Sequence, residues 1–155
     1  MAANPAWIGT PRGGQWSITL ITQVFARGST PNSSCLVFTA GSGGCRIMDI
    51  VARPLGTNVA AVLNVWAYDP VKSAYNFIGS QALGASTAPA TGSDFSTPTN
   101  GQVRCTNILP VTLFPASNTT TPNQALELGP NIQVYAALDT SVATGWVVNF
   151  LGGDI

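Results

Sequence analysis

An all-β chain folded as a two-sheet antiparallel sandwich is what this sequence predicts, and three observations predict it. β-branched and aromatic residues recur in runs of about five to ten. Clusters of Gly, Pro, Asn and Ser bound those runs. No stretch sustains a helical apolar period with caps at its ends.

Residues 1–15 read as an extended arm: Asn4-Pro5-Ala6-Trp7-Ile8-Gly9, then Pro11, Arg12, Gly13 and Gly14, with apolar anchors but no strand pattern. Trp16–Ala26 is the first strand; Trp16, Ile18, Leu20 and Val24 alternate with Ser17, Thr19 and Gln23, giving one buried and one wetter face. Cys35–Ala40 and Cys45–Arg53 follow, joined by Gly41-Ser42-Gly43-Gly44 as a hairpin turn. After the turn-forming Pro54-Leu55-Gly56-Thr57, Asn58–Asp69 sets Val59, Ala61, Leu63, Val65 and Ala67 on one face and Asn64, Trp66 and Tyr68 on the other. Ala74–Leu83 is the next strand. Residues 84–102 form a long polar loop with one charge, Asp94, and one aromatic, Phe95; a loop of that length inside a compact domain is usually functional or mobile. Val103–Phe114 resumes the strands, with Pro110 marking a bulge or an edge. Pro115–Gln124 is a second polar loop before Ala125–Leu128. Asn131–Asp139 alternates cleanly, and Val142–Leu151 carries Trp146, Val148 and Phe150.

About eight such strands bury their half-apolar faces by packing two sheets together, and that number suits a jelly-roll-like sandwich over residues 16–155 as a single domain. An immunoglobulin-type sandwich is the rival, but its paired cysteines around a strand tryptophan are missing. Leu63, Ile132, Val134, Ala136, Leu138 and Val148 are the expected core. A turn centred on Ser42 and Gly43 sets Cys35 opposite Ile50 rather than Cys45, so all three thiols are expected free, buried and inert.

Charge excludes more than it suggests. Only 8% of residues are charged, against about 25% in an ordinary soluble domain. Six basic residues balance six acidic ones for a net charge of zero. The basic residues are scattered singly, so binding of nucleic acid by phosphate neutralisation is not expected. The uncharged stretch Cys105–Leu126 is broken by Pro110, Pro115 and Pro122 and does not read as a membrane helix. Met1-Ala-Ala-Asn-Pro-Ala lacks the basic start and apolar centre of a secretory signal, which predicts an intracellular origin.

Reactive chemistry is equally sparse. The chain has no histidine, so imidazole-dependent nucleophile activation is excluded and no histidine completes a cysteine metal site. The carboxylates are isolated, and several sit at strand ends or turns, such as Asp69, Asp139 and Asp154. Gly41–Gly44 precedes a strand rather than a helix, so it reads as a turn and not a phosphate cradle. No Asp-x-Asp cluster offers calcium its oxygens. No enzyme activity, catalytic residue, metal or cofactor is expected. Trp16, Trp66 and Trp146 read as packing residues; the sharper alternative is a sugar-stacking platform of Trp66, Tyr68 and Tyr75.

The run Val37-Phe38-Thr39-Ala40-Gly41, with Arg46-Ile47 and then Ile50-Val51-Ala52-Arg53-Pro54-Leu55-Gly56-Thr57-Asn58-Val59-Ala60, resembles a group of small proteins encoded among the virion-structural genes of tailed bacteriophages and prophages. The ending Val142-Ala143-Thr144-Gly145-Trp146-Val147-Val148, followed by Gly152-Gly153-Asp154, is similar to theirs too. The segment 72–107 departs from that group, whose middle is shorter. The resemblance implies a virion part. With the neutral β-rich composition, it leads to the expectation of a capsid decoration, or cement, protein: a homo-oligomer, expected as a trimer, bound to the phage major capsid protein on the capsid surface and made in the host cytoplasm. A tail, fibre or glycan-binding receptor module is the alternative. Trp7, Ile8 and Arg12 of the arm and Phe95 of the long loop are the candidate subunit or capsid contacts.

Overall fold

The computed structural model describes residues 14–87, 101–109 and 125–154. The alternating runs become strands β1 Gly14–Leu20, β2 Leu36–Thr39, β3 Cys45–Pro54, β4 Thr57–Asn58, β5 Ala61–Asp69 and β6 Ala74–Leu83. β7 Ser86–Thr87, β8 Val103–Arg104, β9 Leu126–Leu128, β10 Gln133–Leu138 and β11 Trp146–Asp154 complete the series. Among the described residues the only helical element is the 3-10 turn Ser33–Cys35, whose first N–H groups are met by Asn32, with Ser34 N–H donating to Asn32 Oδ1 at 3.0 Å. No helix there is long and apolar enough to cross a membrane.

Every strand pair is antiparallel. One sheet runs β1-β11-β3, with β8 and β9 both on the far side of β3, at Val51–Ala52 and at Cys45–Ile47. The other runs β2-β10-β5-β6, and β4 pairs with β7 as a short ribbon. The pairing is nested: β1 with β11, β2 with β10, β3 with β9 and β8, and β5 with β6 at the centre. Strand alternation then sends one side of each sheet inward. Leu20, Ile50, Ala52, Trp146, Val148 and Phe150 from the first sheet share a buried cluster with Phe38, Leu63, Val65, Val134, Ala136 and Leu138 from the second. The arrangement is compatible with a β-sandwich. At one side Trp16 of β1 stacks on Phe38 of β2, ring centroids 4.0 Å apart.

Several local expectations change. The glycine turn forms, with Gly44 N–H donating to Gly41 O at 3.0 Å. Gly44 has φ +98°, and a Cβ there would run into the Leu128 carbonyl oxygen, so the position needs glycine. Yet β2 and β3 enter different sheets, so the turn is a corner between layers and not a hairpin. The run 16–26 stops as a strand at Leu20, where Ile21 N–H bonds the Gln23 side chain at 2.9 Å. The chain then crosses to the second sheet: Leu138 N–H donates to Gln23 O and Phe25 N–H to Leu138 O, both at 2.9 Å. The strand expected over 103–114 is paired only at Val103–Arg104 before a turn closes with Ile108 N–H on Cys105 O; residues 110–124 lie outside the described residues. Of the expected core, Leu63, Val134, Ala136, Leu138 and Val148 are fully buried, while Ile132, just before β10, is half-buried. Val59 leaves the core face and is 60% exposed, because the strand breaks between β4 and β5.

Candidate functional site

Trp7, Ile8, Arg12 and Phe95, the expected contacts, lie outside the described residues, as do most of the arm 1–15 and most of the loop 84–102. What the structure assembles is elsewhere: an aromatic layer on the outer face of the second sheet, and a hydrogen-bond hub around Asn58.

The layer follows from register. Gln133 of β10, Tyr68 of β5 and Tyr75 of β6 are cross-strand neighbours in one rank, and Tyr135, Trp66 and Phe77 form the next. Alternation places both ranks on the side away from the main core. The crossing segment that follows β1 covers the second rank: Phe25 packs against the cluster of Cys35, Trp66, Tyr135 and Ala137, and the Arg27 guanidinium lies 4.8 Å from the Phe77 ring centroid. Trp66 is therefore 2% exposed. That corrects the sugar-platform alternative, since a buried indole offers no face to a pyranose. Tyr68 and Tyr75 stay half-buried, their rings 4.6 Å apart and tilted by 45°, with Tyr75 edge-on to Tyr135 at 5.3 Å. Tyr135 O–H and Gln133 Oε1 are 2.8 Å apart, and burial pushes the Tyr135 phenol up to about 12. Beside this rank the β5–β6 turn is held by Asp69, whose Oδ1 accepts from Val71 N–H at 2.9 Å and whose carboxylate lies 3.6 Å from Lys72 Nζ.

The hub is Asn58. Its side chain is buried, and its Nδ2 donates to Gly145 O at 2.9 Å, with Gly56 O and Ser86 Oγ at 3.3 Å. Its Oδ1 accepts from Thr144 N–H at 2.9 Å, from Gly145 N–H at 3.0 Å and from Thr144 Oγ1 at 3.0 Å. Ser86 O–H donates to Gly56 O at 2.6 Å, and Leu55 N–H to Gly145 O at 3.0 Å. Residues 54–58 and 144–146, two strings far apart in sequence, are thereby fastened together. A buried carboxamide needs its donors and acceptor met, and here they are. In the sequence Asn58 is an amide among apolar residues within Arg53–Ala60, with nothing to mark it as a structural hub.

Charges gather around β3. Arg104 pairs with Asp49 at 2.9 Å and Arg46 with Glu127 at 3.7 Å, each bridging β3 to a short neighbouring strand. The three cysteines are free and buried. Burial raises the thiol of Cys35, pushes Cys45 up to about 11 with Asp154 adding to the rise, and pushes Cys105 up to about 12. Thiols so disfavoured as thiolates are poor nucleophiles. Among the described residues no three His, Cys, Asp or Glu side chains are grouped to hold a metal ion. No family model matches the chain, and no curated protein or solved structure is significantly similar to it.

Proposed function

We propose that this chain is a virion structural protein of a tailed bacteriophage, a capsid decoration protein that binds the assembled head and stabilises it by bridging capsid subunits. Its fold, on this reading, is a jelly roll. The support for that is the nested pairing: a long antiparallel hairpin wound once around a core pairs first with last, second with next-to-last, and the two middle strands with each other. Jelly rolls serve both viral capsids and lectins, so the topology alone selects no function.

The observation that carries the functional reading is the Asn58 hub. The strings that resemble the phage group, Arg53 to Ala60 and Val142 to Val148, meet there through side chain and backbone. That contact makes the two strings one structural unit of this chain, which supports reading the two resemblances together. The role proposed is mechanical, with modest contacts multiplied by valency over a shell. The partners are further copies of this chain, as a trimer, and the major capsid protein, and the place is the capsid surface. Trp7, Ile8, Arg12 and Phe95 are the proposed contact residues.

Quantitative mass spectrometry of purified virions tests the reading. Hundreds of copies per particle are expected; a few tens or fewer would assign the chain to the tail or fibre instead. Deleting residues 2–13, which precede β1, should leave the melting transition in place and weaken attachment to heads. Equal attachment of the truncated and full chains would remove the arm from the contact.

A further inference from the structure

We propose that β6 is an assembly edge, adding antiparallel to β6 of a second copy so that one sheet runs continuously through two protomers. The sheet β2-β10-β5-β6 ends at β6, and among the described residues that strand pairs with β5 alone. The turn around Ile108 approaches it from the core: a Cβ on Gly79 would meet Ile108 Cα at 3.1 Å, and Asn107 N–H donates to Gln81 Oε1 at 3.3 Å. A strand at a sheet edge presents a row of N–H and C=O groups that templates another strand, and proteins that stay monomeric blunt such edges with shortness, Lys or Pro.

β6 has none of these: it is ten residues long, Ala74–Leu83, and contains no charge and no proline. Its one irregularity is a bulge at Ile78, where the register with β5 shifts between Val65 and Trp66, and regular strand runs on either side of it. The other edges differ. β2 has four residues, and β8 and β9 are short strands carrying the ion pairs of Arg104 and Glu127. β1 is uncharged but has seven residues, and its Trp16 is turned onto Phe38.

The occupant is a second β6 because the strand complements itself. Like charges opposite one another oppose antiparallel pairing, and an uncharged strand has none to set against its own copy. Antiparallel addition about a two-fold axis satisfies both edges at once and closes without an open-ended contact. Tyr75 and Phe77, on the outer face, would carry the aromatic ranks across the junction. Such a contact joins copies in pairs, and between trimers it would give hexamers. The inference does not rest on the virion reading.

The test is the parity of the assembly. Native mass spectrometry and sedimentation of the full chain at micromolar concentration are expected to show an even number of copies, with amide exchange across 74–83 slowing as concentration rises. Asn76 and Ala82 are both exposed, so substitutions there leave the melting transition in place. Asn76 shares a face of the sheet with its partner Ala67 and Ala82 shares the opposite face with Val62, so the two positions put a side chain on each side of the edge. Asn76→Lys with Ala82→Lys, an edge lysine on each face, is expected to raise the dissociation constant at least ten-fold and halve the assembly, while the uncharged Asn76→Gln with Ala82→Ser retains it. An odd-numbered or monomeric wild type at high micromolar concentration would overturn the proposal, and so would a doubly lysine-substituted chain that associates as the wild type does. Copy number on virions is a separate measurement, so the two proposals fail separately.

Discussion

The two apolar clusters among the described residues share β5 and β10 but differ in chemistry. The cluster between the sheets is mostly aliphatic, drawn from alternate positions such as Leu63, Val65, Val134, Ala136 and Leu138. The cluster on the outer face of the second sheet is mostly aromatic, with Trp66 and Tyr135 roofed by Phe25 and flanked by Phe77, Tyr68 and Tyr75. The first needs only that two sheets meet. The second needs a crossing segment laid over a face that would otherwise meet water. The core should therefore tolerate no charge, whereas the outer layer should lose stability in steps as its roof is removed.

The largest effect is expected for Val134→Asp. That side chain is fully buried between the sheets, and an unpaired buried carboxylate costs several kcal/mol, a large part of a domain's stability. No cooperative melting transition should remain, and a wild-type-like melt would refute the inward register of β10. Trp66→Ala tests the outer layer. Removing a buried indole costs about 3–5 kcal/mol, so the urea midpoint should fall sharply while β-sheet circular dichroism persists below it. A loss under about 1 kcal/mol would mean that the roof contributes little.

Asn58→Ala probes the junction between the β4–β7 ribbon and the start of β11. Truncation leaves the buried backbone N–H of Gly145, and with it the N–H of Thr144, without their acceptor. About 2–4 kcal/mol should be lost, as leaving a buried group unpaired costs roughly 1–3 kcal/mol. Hydrogen exchange should show the loss first at residues 143–146.

The buried thiols and Tyr135 give a pH dependence. Their protonated forms are favoured in the folded state, with Cys45 raised from 9.0 to about 11, Cys105 from 9.0 to about 12 and Tyr135 from 10.0 to about 12. The stability they contribute is complete below pH 9. It is lost as pH rises from there towards 11 and 12, because the unfolded chain releases those protons first. Urea midpoints between pH 8 and 11 should fall, and less steeply in a Cys45→Ala, Cys105→Ala chain; an unchanged slope would show that the thiols are not the titrating groups. The smallest effect is Arg27→Ala. Loss of the exposed Arg27 cation–π contact on Phe77 should cost about 0.5–1 kcal/mol, read as a small shift in melting temperature, and a large shift would give Arg27 a structural role beyond that ring.

The sequence by itself determined the all-β class, most strand positions and the inward side of most strands, because a period of two is a local property of the chain. β6 agrees with its expected bounds, 74–83, and Val134, Ala136 and Leu138 point inward as their alternation requires. Partnership was decided by tertiary structure alone. Cys35–Ala40 and Cys45–Arg53 looked like a hairpin, since a glycine turn between apolar runs is the same whether the strands pair or part; the demands of two facing layers sent them to different sheets. Trp66 could be placed opposite Leu63 and Val65 on β5, but whether that face met water depended on residues 21–35 crossing above it. Asn58 was legible only as an amide in a motif, and its partners Thr144 and Gly145 lie more than eighty positions away. Alternation fixes which way a side chain points; which surface it meets is fixed only when the whole chain has closed.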